Sequence, residues 1–237
     1  MCSCASKKDI IYLQDISNKS KESTFQNLKI QPGDILDIQI SSLNPESIKI
    51  FQPEYAFNFS QNSLDVKQSN GYLVDNLGQI VFPLIGKLKT SGTTCSSFGE
   101  LLQDKLSSFI KSPTVKVRII NFKISVLGEV RTPGTFNLID ERINISQALG
   151  LAGDLTINGN RNNIKIVRNQ NGEQTSALID LTDASFMQSP YYYLKQNDVI
   201  YVSPNTAKVK SSGLIGNVGT LTSVLSLILS LSLVLTR

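Results

Sequence analysis

The sequence predicts an α+β fold: two small mixed α/β domains and then a C-terminal transmembrane helix. Three observations predict it. Short strand-like segments recur with single amphipathic helices among them, the pattern of small mixed sheets. With a polar start and an apolar end set aside, about 180 of the 237 residues remain, enough for two small cores. From position 214 to 235, 13 of 22 residues are Leu, Ile or Val and none is charged, while Lys208, Lys210 and Arg237 flank the stretch. At about 1.5 Å per residue it spans roughly 33 Å, the thickness of a bilayer core.

A Lys-, Ser- and Asn-rich tether runs to about Thr24. The turn Gln31-Pro32-Gly33-Asp34 then launches an alternating strand at 35–40. Residues 41–70 are polar and poorly patterned. Residues 71–74 and 79–83, with Asp75-Asn76-Leu77-Gly78 between them, read as a hairpin. Ser97-x-x-Glu100 has the form of a capping box, opening a helix whose Phe98, Leu101, Leu102, Leu106, Phe109 and Ile110 recur at three and four; Pro113 ends it. Cys95 is expected just before that helix, small and partly buried. Strands follow at 114–120 and 122–130, before the turn Thr132-Pro133-Gly134. Asn144 caps a short helix over 145–152 that Gly153 stops. Asn171-Gly172 joins 164–168 and 175–181 as a second hairpin, and 199–202 is a last strand closed by Pro204.

Composition excludes several function classes. The net charge is +4 with the basic residues scattered, so no nucleic-acid footprint is expected. With no His and three Cys, neither a zinc site, nor a disulfide scaffold, nor a Ser-His-Asp or Cys-His arrangement has its residues. Asp34 with Asp37 and Asp180 with Asp183 are close carboxylates, but such spacings suit caps and solvated surfaces. No catalytic residue, metal or cofactor is expected, and the chain is expected not to be an enzyme. Tyr191-Tyr192-Tyr193 has aromatic faces that could stack on a sugar; the plainer expectation is a strand with Tyr192 facing away from its neighbours.

Both ends point to a membrane. Placed at about 100° per residue, Gly219, Thr222, Ser223, Ser226 and Ser230 share one helix face, and Val224, Leu225 and Ile228 lie on the opposite, lipid-facing side. Small residues four apart let helices pack closely, the reading the helix alone favours; the alternative is that the hydroxyls on one face line a wet lumen. Either use implies an oligomer. At the other end, Met1-Cys2-Ser3-Cys4-Ala5-Ser6 is similar to the start of a mature bacterial lipoprotein, with Cys4, or less directly Cys2, as the lipidated residue. No apolar h-region precedes either cysteine, so Met1 is taken as a start of numbering and the signal peptide as lying outside these residues.

A weak internal repeat relates residues 86–93 to 128–135, matching at Gly86 and Gly128, Thr90 and Thr132, Gly92 and Gly134, and Thr93 and Thr135. It suggests two related units, each a strand leading through a turn into a helix.

Gln31-Pro32-Gly33-Asp34, the stretch from Gly71 through Phe82-Pro83-Leu84-Ile85-Gly86, Ser125-Val126-Leu127-Gly128-Glu129-Val130 with Pro133-Gly134, Gln147-Ala148-Leu149 with Ala152-Gly153, and Asn197-Asp198 through Val202-Ser203-Pro204 follow one another in order. In this succession the chain resembles the polysaccharide biosynthesis/export proteins over about residues 25–205. The resemblance implies an export domain at 25–122 and a β-grasp domain of the soluble-ligand-binding (SLBB) type at 123–205; the lipidated tether at 1–24, the linker at 206–212 and the transmembrane helix at 213–237, read from the residues at the two ends, fit that plan.

It also implies a capsule or exopolysaccharide export component in the outer membrane. Subunits would ring around an aqueous path, with folded domains forming a periplasmic vestibule and terminal helices a porin-like channel. The implied partners are the polysaccharide and an inner-membrane copolymerase, kinase or transporter. With one SLBB-type domain, the chamber is expected to be shallow. A lipoprotein adaptor that binds a glycan or partner without a pore is the alternative.

Overall fold

The computed structural model describes residues 8, 10–15, 28–51, 71–139, 142–170, 172–211 and 218–235. They divide into two compact units.

The first unit is centred on residues 24–123. Strand β1 (Ile35–Ser41) lies between β2 (Tyr72–Leu73) and β5 (Thr114–Ile119) in an antiparallel three-stranded sheet, and β3 (Gln79–Phe82) pairs with β4 (Gly86–Lys89). The turn before β1 is built by its own acid. Asp34, 2 % exposed, accepts the Gln31 N–H at 2.8 Å, and Asn121 holds the same corner through the Gly33 carbonyl and the Ile35 N–H. Asp34 is therefore a buried cap, whereas Asp37 meets Arg118 at an exposed pair. Helix α1 (Cys95–Leu106) packs against β5, burying Phe98, Leu102 and Leu106 completely, each worth about 1.5–3 kcal/mol.

Three local expectations change here. Thr94 caps α1 by accepting from Ser97 N, so the cap lies one turn before the predicted Ser97 and half-buried Cys95 is the first helical residue. The hairpin is β3–β4, because Asp75 folds the chain back on itself by accepting from Leu77 and Gln79, leaving β2 to pair with β1. The repeat does not hold in three dimensions. Gly86 opens β4 on the way to α1, whereas Gly128 ends β6 (Lys123–Gly128) and Gly134 opens β7 (Gly134–Asn137) rather than a helix.

The second unit holds most of a five-stranded sheet in the order β7-β6-β10-β8-β9, where β8 is Gly159–Gln170, β9 Glu173–Ile179 and β10 Val199–Pro204. β6 and β10 run parallel at its centre, and the other pairs described are antiparallel. The antiparallel β8–β9 pairing runs to Gln170 and Glu173, the two strands expected to form a hairpin; Asn171, the first residue of the expected turn, lies outside the described residues. Helix α2 (Ile145–Leu151) has the full capping box between Asn144 and Gln147, and buries Ile145, Ala148 and Leu149 on one face. The inward residues of the central strands, Ile124, Val126, Ile164, Ile166, Ile200 and Val202, are all 0 % exposed. Asp183 caps a 3-10 turn and Asp180 bonds Thr182, so this carboxylate pair also serves the backbone.

The tyrosine triplet is not a strand. It lies in an irregular segment, with Tyr192 buried and Tyr191 and Tyr193 half-buried. The expected linker begins as helix α3 (Thr206–Ser211).

The predicted membrane segment forms helix α4 (Val218–Leu235), 18 residues or about 27 Å. That is shorter than the sequence count, and 212–217 and 236–237 lie outside the described residues. Among the described residues no helix is long and apolar enough to cross a membrane.

Candidate functional site

The chemistry expected at the termini concentrates on α4. Gly219, Thr222, Ser223, Ser226 and Ser230 fall on one helical face, with Leu225 and Ile228 opposite; the side chain of Val224 lies outside the described residues. The hydroxyls are turned back onto the helix. Thr222 donates to the Gly219 carbonyl at 3.0 Å, Ser226 to Ser223 at 2.8 Å and Ser230 to Leu227 at 2.9 Å. Ser232, off the stripe, does the same to Leu229 at 2.8 Å. These bonds satisfy the Thr222, Ser226 and Ser230 donors inside the helix, so these hydroxyls need neither water nor a neighbour as a partner. The apolar surface does need a cover. Leu225, Leu227, Ile228, Leu229 and Leu231 are all 57–65 % exposed, a contiguous patch of the kind that marks a membrane or protein interface.

Cys4 lies outside the described residues, but residues 10–15 of the expected tether do not hang free. The Leu13 N–H bonds the Leu181 carbonyl at 3.1 Å, the Gln14 N–H bonds Thr182 at 2.9 Å, and Asp15 accepts from Ala184 N at 2.8 Å. The Tyr12 hydroxyl donates to Asp154 at 2.7 Å, and its ring covers the buried Arg161 guanidinium at 5.5 Å. Burial first, and the Asp154 carboxylate second, push the Tyr12 phenol well above the ordinary tyrosine range, which keeps it a donor. Beside it is a cavity of about 160 Å³, lined by Tyr12, Leu13, Leu149, Leu181 and Phe186. Sequence reasoning missed this strap, although Ile10-Ile11-Tyr12-Leu13 is an apolar run inside a polar segment.

Replacing Tyr12 by Ala removes one hydrogen bond and one ring–cation contact, together about 1.5 kcal/mol. Hydrogen exchange at the Leu13 and Gln14 amides should then accelerate by about tenfold or more. Unchanged exchange would mean the strap is held by its backbone bonds alone.

The segment 189–198 is fixed by a buried ion pair. Arg168 grips Asp198 through Nε at 2.9 Å and through a terminal nitrogen at 2.7 Å, with side chains 4 % and 0 % exposed. The remaining guanidinium donors reach the Pro190 and Tyr193 carbonyls, and the Tyr191 ring stacks on the cation at 4.6 Å. Tyr191 thus serves as a structural clamp on Arg168. Lys195, which donates its backbone N–H to Asp198, has its ammonium pKa lowered by burial and then by Arg168. Among the described residues no group of three His, Cys, Asp or Glu is placed to hold a metal ion.

Comparison with known proteins adds to this geometry. Residues 22–120 match the family model of the polysaccharide biosynthesis/export proteins, and residues 122–202 match the SLBB domain. An EPS I polysaccharide export outer membrane protein, EpsA, of Ralstonia solanacearum is 26 % identical over 183 residues, 74 % of this chain and 48 % of the relative. A protein of the same name from Ralstonia nicotianae is 31 % identical over 103 residues, 42 % of this chain and 27 % of the relative. The chain thus spans about half the length, or less, of the curated relatives it matches.

Proposed function

With residues 22–120 in the polysaccharide biosynthesis/export family and residues 122–202 an SLBB domain, this chain belongs to the polysaccharide export proteins, and from that premise we propose that it is a passive outer-membrane component of a capsule or exopolysaccharide export machine. Copies ring around an aqueous path. The two folded units form the periplasmic vestibule, the segment 213–237 that contains α4 crosses the outer membrane, and lipid on Cys4 holds the other end. Catalysis and energy come from inner-membrane partners, a copolymerase, kinase or transporter, and the chain itself turns nothing over.

The observation that carries this proposal is α4: a terminal helix with its large apolar side chains exposed and its hydroxyls bonded to its own backbone. Such a helix loses little in hydrocarbon and gains from every covered leucine. Its length of about 27 Å is short for an average bilayer, but the bacterial outer membrane is thinner than average and short spans favour oligomers. The self-satisfied hydroxyls favour a second use as well, an adaptor whose helix only anchors it, because a stripe that is already bonded does not require a lumen.

Cysteine labelling separates the two. With Cys2 and Cys95 replaced by Ser, and Cys4 left to carry its lipid as an unreactive thioether, cysteines introduced singly at 223, 226 and 230 should react with a small water-soluble thiol reagent severalfold faster than those at 224, 225 and 228. Images of the detergent-extracted protein should show a closed symmetric ring. Equal labelling on both faces, or a strict monomer, would leave the adaptor.

A further inference from the structure

The outward face of the five-stranded sheet carries a row of side chains that the core does not use. Because Ile164, Ile166, Ile200 and Val202 point inward, their strand neighbours point out. Strand register then sets four of these side by side. Tyr201 stands opposite Leu127 on β6 and Lys165 on β8, and Lys165 stands opposite Leu178 on β9. All four are exposed, Leu127 by 43 %, Tyr201 by 42 % and Leu178 by 66 %. Four strands at about 4.8 Å spacing make the row about 14 Å long. The adjacent row, in the same register, is Ser125, Val199, Val167 and Ser176. Neither row contains a carboxylate, and Lys165 is the single charge in the eight positions.

We propose that this face binds a segment of acidic polysaccharide. The phenol ring of Tyr201 stacks on the apolar face of a sugar, and Lys165 pairs with a uronate or similar acidic substituent. Leu127 and Leu178 add apolar contact at the two ends, and exposed Ser176 of the second row offers a hydrogen bond to a sugar hydroxyl, while the Ser125 hydroxyl is already bonded to that of Thr135 at 2.9 Å. A protein partner fits less well, since it would bury an ammonium at the centre of the patch, where interfaces are depleted in lysine. A hydrated polymer carrying its own negative charge leaves Lys165 wet and paired. This inference rests on the export role proposed above and specifies the chemistry of the polymer.

The test uses the full-length protein in detergent, with an oligogalacturonate hexamer as probe and maltohexaose as the neutral control, both followed by calorimetry. Oligogalacturonate should bind, more weakly as salt rises, and Tyr201→Ala and Lys165→Glu should each lower its affinity by about tenfold or more. Tyr201→Phe should retain binding, and the subunit number of all three variants, checked by sedimentation, should match the parent. No binding to the parent, or equal affinity in the variants, overturns the proposal. So does a changed subunit number with unchanged glycan affinity, which would assign the face to a second copy of the chain. Loss of this binding site with rings intact removes this proposal alone, whereas an absence of rings removes the export role.

Discussion

Asp198→Ala is expected to destabilise the second unit by about 3–5 kcal/mol, because it strands the Arg168 guanidinium, 4 % exposed, without its counter-ion. The loss extends beyond the pair. Asp198 also accepts the Lys195 N–H at 2.8 Å, so the turn that leads into β10 loses its staple together with the charge. The clearest readout is the urea midpoint of the full chain, followed by circular dichroism. Arg168→Met combined with Asp198→Leu should recover most of the stability, since replacing both partners of a buried pair by apolar groups is often near neutral. A single variant that unfolds within about 1 kcal/mol of the parent would show that water reaches the arginine.

Gly128→Ala should cost about 3 kcal/mol or more through a different mechanism. Gly128 closes β6 at φ +92°, in the left-handed region, and a Cβ there would run into the carbonyl of Val202 on the parallel neighbour β10. The next residue, Glu129, donates its N–H to that same carbonyl at 3.0 Å, so the backbone cannot retreat without breaking the bond. Gly134→Ala is the control, because its Cβ would meet nothing within 4 Å and its φ is not in that region. Thermal unfolding should separate the two by several degrees, with Gly134→Ala close to the parent. Equal melting points would mean that β6 and β10 shift apart at little cost.

The sequence by itself determined whatever depends on neighbours a few positions away. Gln31-Pro32-Gly33-Asp34 closes its own turn, Asn144 and Gln147 cap α2 reciprocally, β8 and β9 pair as neighbours in sequence, and the uncharged run near the C-terminus forms a helix. In each case the groups that bond lie within about one turn of each other, so the residue pattern is the interaction. Only the tertiary structure decided the pairing of β2 with β1, the parallel contact of β6 with β10, the docking of Tyr12 onto Asp154 and the burial of Arg168 against Asp198. Tyr12 and Asp154 are 142 positions apart, and Arg168 and Asp198 are 30. No periodicity joins residues at such distances. They meet because apolar surfaces elsewhere, such as Ile166 against Ile200, fix the strands first, and a polar group enclosed by that packing is stable only where a partner is already in place.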